Sequence, residues 1–143
     1  MTLDLRRLTD TYGVAPQIDP SDMAAVKAAG YVMVINNRPD AEIPPSHQAD
    51  AMALAAKSAG LAYAVNPVTP GQFTADLVAR QRAAITSAGG PVLAYCASGN
   101  RSTVLWELVH APELPIDAML QTAAEAGYSH EQFRPLIEAF AKR

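Results

Sequence analysis

Short, wholly apolar runs alternate along the chain with longer Ala-rich stretches, and Pro or Gly stands at nearly every junction. Runs of four or five β-branched and aliphatic residues with no polar alternation predict strands covered on both faces. Three are clear: "YVMVI" from Tyr31 to Ile35, "LAYAV" from Leu61 to Val65, and "VLAY" from Val92 to Tyr95. A shorter run from Tyr12 to Ala15 predicts a fourth.

The stretches between them predict helices. "IDPSDMAAVKAAG" offers Asp19 or Ser21 as N-cap, Pro20 in the first turn and Gly30 as the stop. Ser46 is placed to cap a helix running through Ser58, with Gly60 ending it. Thr74 is placed to cap "ADLVARQRAAITSA", which Gly89 and Gly90 close. Two or three helices finish the chain, one around Ile116 to Ala126 ended by Gly127 and one over the last ten or so residues with Pro135 in its first turn. Parallel strands joined by helices of about this length predict a three-layer α/β sandwich, with a mostly parallel sheet of about four strands and helices on both faces.

The length of 143 residues suits one domain with a single sizeable core. Eleven Lys and Arg against fourteen Asp and Glu leave a net charge of −3, which argues against a non-specific hold on nucleic acid or anionic lipid. No apolar run approaches the ~18 residues of a membrane span, and the N-terminus lacks the apolar stretch of a signal peptide. A lone cysteine agrees with a reducing compartment, so a cytoplasmic location is expected. His47, His110 and His130 are scattered, so no metal site or cofactor is expected and each reads as a surface or capping residue. Trp106 and Tyr63 sit in apolar patterns and read as core.

In open parallel sheets ligands bind beyond the carboxyl ends of the strands. Three loops should meet there: "NNRPD", "NPVTPGQ" and "CASGNRS". The last holds the only cysteine, Cys96. Ala97, Ser98, Gly99 and Asn100 then lead to Arg101 and Ser102, where a helix begins. Small residues let the backbone N–H groups turn inward, and Gly99 can take a positive φ. A helix N-terminus and Arg101 supply positive potential at the same point, which predicts an anion cradle around the sulfur. The same field favours the thiolate, and Ser102 is placed to donate to it. Such a cysteine is a nucleophile needing no adjacent base.

The loop "CASGNRS" resembles the active loops of the rhodanese and cysteine-phosphatase superfamilies. From about Leu3 to Phe140, through "GVAPQIDPSDMAAVKAAGY", "VINNRPD", "GLAYAVNPVTPG" and "VLAYCASGNRSTVLWEL", the chain resembles the phosphatase-like domain of the beta-lactamase-hydrolase-like proteins. That resemblance implies the fold just described. It also implies a setting in sulfide and persulfide metabolism, with a persulfide-dioxygenase-like partner.

Phosphatase and sulfur transferase differ in two sequence features. The tyrosine and dual-specificity phosphatases have a loop one residue longer, usually with His before the cysteine; here Tyr95 precedes Cys96 and the spacing to Arg101 is that of rhodaneses. Phosphate-ester cleavage also benefits from a carboxylic acid that protonates the leaving oxygen. The loop "NPVTPGQF" has none, Asp76 reads as a surface residue of a helix's first turn, and Asp40 is the available candidate beside its simpler reading as a turn residue. Arg38 could help bind an anionic substrate, while Asn36 and Asn37 hold the loop shape.

These features rank a rhodanese-like sulfurtransferase first. Cys96 would take sulfane sulfur from thiosulfate or glutathione persulfide and pass it to an external thiol or other acceptor. A cysteine phosphatase acting on phosphate esters through a phosphocysteine is the alternative, followed by a non-catalytic anion-binding or partner-docking module.

Overall fold

The computed structural model describes residues 3–142. Its five-stranded sheet runs in the order β1-β2-β5-β3-β4, where β1 is Arg6–Thr9, β2 Tyr12–Ala15, β3 Met33–Asn36, β4 Ala62–Val65 and β5 Val92–Tyr95. β2, β5, β3 and β4 are mutually parallel, and β1 joins antiparallel to β2. The helices are α1 (Met23–Ala28), α2 (Ala49–Ser58), α3 (Ala75–Ala88), α4 (Asn100–His110), α5 (Ile116–Glu125) and α6 (Arg134–Ala141).

The period-two geometry of a strand sends alternate side chains to opposite faces. Val92 and Ala94 of β5 join Val14, Met33 and Ile35 in a core with α3 to α6. Leu93 and Tyr95 face the other way, joining Ala15, Val34, Met23 and Met52 under α1 and α2. Both faces are covered, so these strands are continuously apolar. α4 is the central helix, buried from Arg101 through Val109. Its packing leaves "STVLWELV" with no exposed face, so that even the polar Ser102, Thr103 and Glu107 are buried. Replacing Leu105 or Leu108 with Ala would cost about 2–5 kcal/mol.

Three local expectations are corrected. The sheet has a fifth strand, β1, whose sequence "RRLT" is too polar and too exposed to announce itself by periodicity. The segment from Ser46 is not the start of α2: Pro44 precedes a 3₁₀ turn at Pro45–His47, the Ser46 hydroxyl meets the His47 ring, and α2 begins at Ala49. Its first amide is capped by Asp40 Oδ1 at 2.8 Å, a carboxylate nine residues upstream. His130 is buried against Glu107 rather than lying at the surface; it holds the N-cap position of a 3₁₀ turn at Glu131–Phe133, with its side chain taking no part in the cap. Thr74 does cap α3, accepting from the Leu77 amide at 3.2 Å.

Candidate active site

The loops that leave β2, β3, β4 and β5 at their carboxyl ends are sewn together by main-chain bonds. Asn37 N donates to Tyr95 O at 2.8 Å, Val68 N to Asn37 O at 2.9 Å, Asn66 N to Asn36 O at 2.8 Å, and Gln17 N to Ala97 O at 3.2 Å. The parallel pairing of β5, β3 and β4 brings "CASGNRS", "NNRPD" and "NPVTPGQ" to one edge, as the pattern predicts.

Cys96 lies at the end of β5 with its side chain buried, and Gly99 N donates to its sulfur at 3.2 Å. The three carbonyls that follow are all held from outside the loop or by the helix. Ala97 O accepts from Gln17 N, Ser98 O from the Tyr128 hydroxyl at 2.9 Å, and Gly99 O from Thr103 N at 3.0 Å and Thr103 Oγ1 at 2.8 Å. In a planar trans peptide the N–H points opposite to the carbonyl, so tying the carbonyls outward turns the amides inward. Gly99, at φ 94°, makes the required left-handed turn. The bond from Thr103 N to Gly99 O opens the helical ladder, and Asn100 N is taken by Ser98 Oγ at 3.2 Å. Among the described residues the amides of Arg101 and Ser102 have no partner, as the free donors of a helix N-terminus.

Arg101 is buried, and a carboxylate that sequence reasoning missed organises it. Its two terminal nitrogens meet Glu42 Oε1 and Oε2, each at 2.9 Å, and Nη1 also donates to Val68 O at 2.7 Å. Arg38 Nε donates to the same Glu42 at 3.1 Å, and its Nη1 to Gln17 Oε1 at 3.3 Å. Glu42 is held below its usual carboxylate range, chiefly by the hydrogen bonds from Arg101 and against a smaller desolvation cost. Reciprocally Arg101 is raised, first by Glu42 and then by the neighbouring Cys96. A buried guanidinium demands a carboxylate close in space. The sequence holds the candidate in "PDAEIPP", two positions beyond Asp40.

Ser102 does not donate to the sulfur. Its hydroxyl donates to Asn37 Oδ1 at 2.9 Å, because Asn37 sits in a buried amide network with Gln81 and Asn66. Gln81 Nε2 donates to the Tyr12 hydroxyl at 3.1 Å, and that hydroxyl donates to Ser102 O at 2.9 Å. Burial drives Tyr12 well above its ordinary pKa, so it remains a neutral donor. The network fixes the underside of the cradle and fills Asn37's role as a loop-shaping residue. Trp106 is core, whereas Tyr63 is half-buried and pairs its hydroxyl with that of Tyr95 at 2.8 Å.

Thus Cys96, Ala97 to Ser102 and Arg38 gather at one point, while the Asp40 carboxylate is spent on the start of α2. Among the described residues no group of three His, Cys, Asp or Glu is placed to hold a metal ion. No helix among them is long and apolar enough to cross a membrane.

Comparison with known proteins bears on the family and the fold. Residues 4–113 match the family described as beta-lactamase hydrolase-like protein, phosphatase-like domain. A beta-lactamase hydrolase-like protein of Xylella fastidiosa is 37% identical over 102 residues, covering 71% of this chain and 23% of that protein. Its counterpart in Agrobacterium fabrum is 34% identical over 106 residues, covering 73% of this chain and 24% of that protein. The chain therefore spans about a quarter of the length of the curated relatives it matches. The crystal structure of a candidate phosphatase from Neisseria meningitidis superposes with a TM-score of 0.83 at 29% identity, covering 97% of this chain and 99% of that one.

Proposed function

The chain belongs to the phosphatase-like domain family of the beta-lactamase hydrolase-like proteins, and from that membership we propose that it is a cysteine-dependent phosphatase. The ranking of the sequence reading is thereby reversed. The observation that carries the proposal is the inward-facing cradle: Cys96 receives Gly99 N–H, the loop carbonyls are tied away, and Arg101 is aligned by Glu42. Oriented donors of this kind stabilise charge on a phosphoryl group without reorganising during the reaction.

The phosphoryl oxygens of an ester would take the amides of Arg101 and Ser102 and the guanidinium of Arg101. The Cys96 thiolate attacks phosphorus; the S–P bond forms as the bond from phosphorus to the leaving oxygen breaks. Water then attacks phosphorus, the S–P bond breaks back to thiolate, and inorganic phosphate leaves with the water's oxygen. Cys96 has no exposed surface in this conformation, so the sulfur has to be uncovered before substrate can reach it. With Asp40 engaged at α2 and no carboxylate between Asn66 and Phe73, the leaving oxygen takes its proton from water. Aryl phosphates are therefore the favoured class, and alkyl phosphates slow.

The test is phosphate release from an aryl and an alkyl phosphate by wild type, Cys96→Ser and Arg101→Ala. Loss in both variants with strong aryl preference supports the reading; release that survives Cys96→Ser overturns it. Sulfur transfer is the second reading, favoured by the four residues between Cys96 and Arg101. It would use thiosulfate or a persulfide as donor and an external thiol as acceptor, in the setting of a persulfide-dioxygenase-like partner. A sulfane sulfur on Cys96, removed by added thiol, would favour it.

A further inference from the structure

The segment after α5 reaches back to the cradle from beyond the part matched by the family, which ends at residue 113. Gly127, at φ 100°, closes α5, and the chain turns so that Tyr128 lies beneath the loop. The Tyr128 hydroxyl donates to Ser98 O at 2.9 Å. On the opposite side of that same peptide unit, Gly99 N donates to Cys96 sulfur at 3.2 Å. The ring is held from below by the Arg6 guanidinium, 5.1 Å from its centroid. Burial raises Tyr128 above its ordinary pKa, which keeps the hydroxyl a donor.

Two residues on, His130 is buried between Glu107 and the loop. Its Nδ1 meets Glu107 Oε1 at 2.7 Å and its Nε2 meets Asn100 Oδ1 at 2.6 Å. Glu107 is fully buried, and its Oε2 has no hydrogen-bond partner among the described residues. A half-satisfied buried carboxylate is a poor way to gain stability. Such a carboxylate is accounted for if the ring it orients has a task, and that ring's other nitrogen grips the first residue of α4.

We propose that Tyr128 and His130 are positioning residues for the anion cradle. Tyr128 sets the Ser98–Gly99 peptide plane so that its N–H faces the sulfur, and His130, oriented by Glu107, anchors Asn100 where the loop enters the helix. This deepens the phosphatase reading and rests on it for the kinetic readouts, although the loop geometry can be measured without turnover.

The experiment compares wild type, Tyr128→Phe, His130→Ala and His130→Gln. Three quantities are measured: the iodoacetamide alkylation rate of Cys96, its protection by inorganic phosphate, and kcat and KM for an aryl phosphate. Tyr128→Phe keeps the ring and its Arg6 contact. It should remain folded, with an unfolding temperature lowered by no more than a few degrees, yet weaken phosphate protection about 3- to 10-fold, the factor carried by one net hydrogen bond. kcat should fall more than KM rises, because the Gly99 amide acts on charge that changes at sulfur. His130→Gln, which can still donate to Asn100, should recover part of what His130→Ala loses; if His130→Ala fails to fold because it strands Glu107, His130→Gln against wild type carries the test. Folded variants with wild-type protection, alkylation rate and kcat would overturn the proposal. If wild type hydrolyses no aryl phosphate, the phosphatase reading fails by itself. Positioning is then decided by protection and alkylation, which should still change in Tyr128→Phe if it is right.

Discussion

Replacing Gly99 with Ala tests the loop geometry at its tightest point. Gly99 has φ 94°, and a Cβ built there would lie 2.1 Å from the Tyr128 hydroxyl oxygen and 3.1 Å from Cζ. The left-handed backbone costs a side chain about 1–2 kcal/mol, partly offset by about 0.4–1 kcal/mol from a less flexible unfolded chain. The clash adds more. The hydroxyl must move by over an ångström, leaving the part-buried Ser98 O without its donor, at about 0.5–1.5 kcal/mol for one net hydrogen bond. Gly30 is the control, since it has φ 103° with nothing within 4 Å of its Cβ. Gly30→Ala should therefore cost about 1 kcal/mol and Gly99→Ala about 1.5–2.5 kcal/mol. Urea unfolding followed by the fluorescence of Trp106, the sole and buried tryptophan, reads both against a common m-value. Adding Tyr128→Phe should shrink the excess at Gly99, because the nearest clashing atom is gone. Equal costs at the two glycines, or an excess untouched by Tyr128→Phe, would refute the reasoning.

Glu42→Gln should lower stability by about 1–2 kcal/mol, since a neutral amide cannot replace the two-point pairing with Arg101. The folded-state pKa of Glu42 lies below its unfolded value, so its stabilisation is complete above that value and is lost as pH falls through the folded one. Wild type should thus lose more stability than Glu42→Gln between about pH 5 and 3 in acid titrations of unfolding free energy; parallel curves would contradict the pairing. Asp40→Asn should cost less than about 0.5 kcal/mol, because the amide Oδ1 can still accept from Ala49 N. It should also leave the ratio of aryl to alkyl phosphate hydrolysis unchanged, whereas a selective loss on alkyl esters would identify Asp40 as the general acid.

Much of this architecture is legible in local pattern. A strand buried on both faces must read as an unbroken apolar run, so β3 and β5 stand out, and the small residues after Cys96 mark the turn into α4. What escapes is whatever depends on contacts across the fold. β1 is a polar edge strand known only by its pairing with β2. Glu42 lies 59 residues from the arginine it aligns, and Tyr128 and His130 each lie 30 residues from their partners in the loop. The acceptor of the Ser102 hydroxyl escapes for the same reason: a buried amide network built from three separate loops and helices outcompetes the nearby sulfur.

The central claim is that Cys96 carries a phosphoryl group during turnover. Acid-quenched intact-protein mass spectrometry after mixing with an aryl phosphate, followed by peptide mapping, tests it most directly. The expected result is a transient phosphocysteine at Cys96, absent in Cys96→Ser and accompanied by released inorganic phosphate. A protein that never acquires phosphoryl, yet takes up one sulfur at Cys96 from thiosulfate or a persulfide and yields it to added thiol, would contradict the claim and restore sulfur transfer as the reaction of this site.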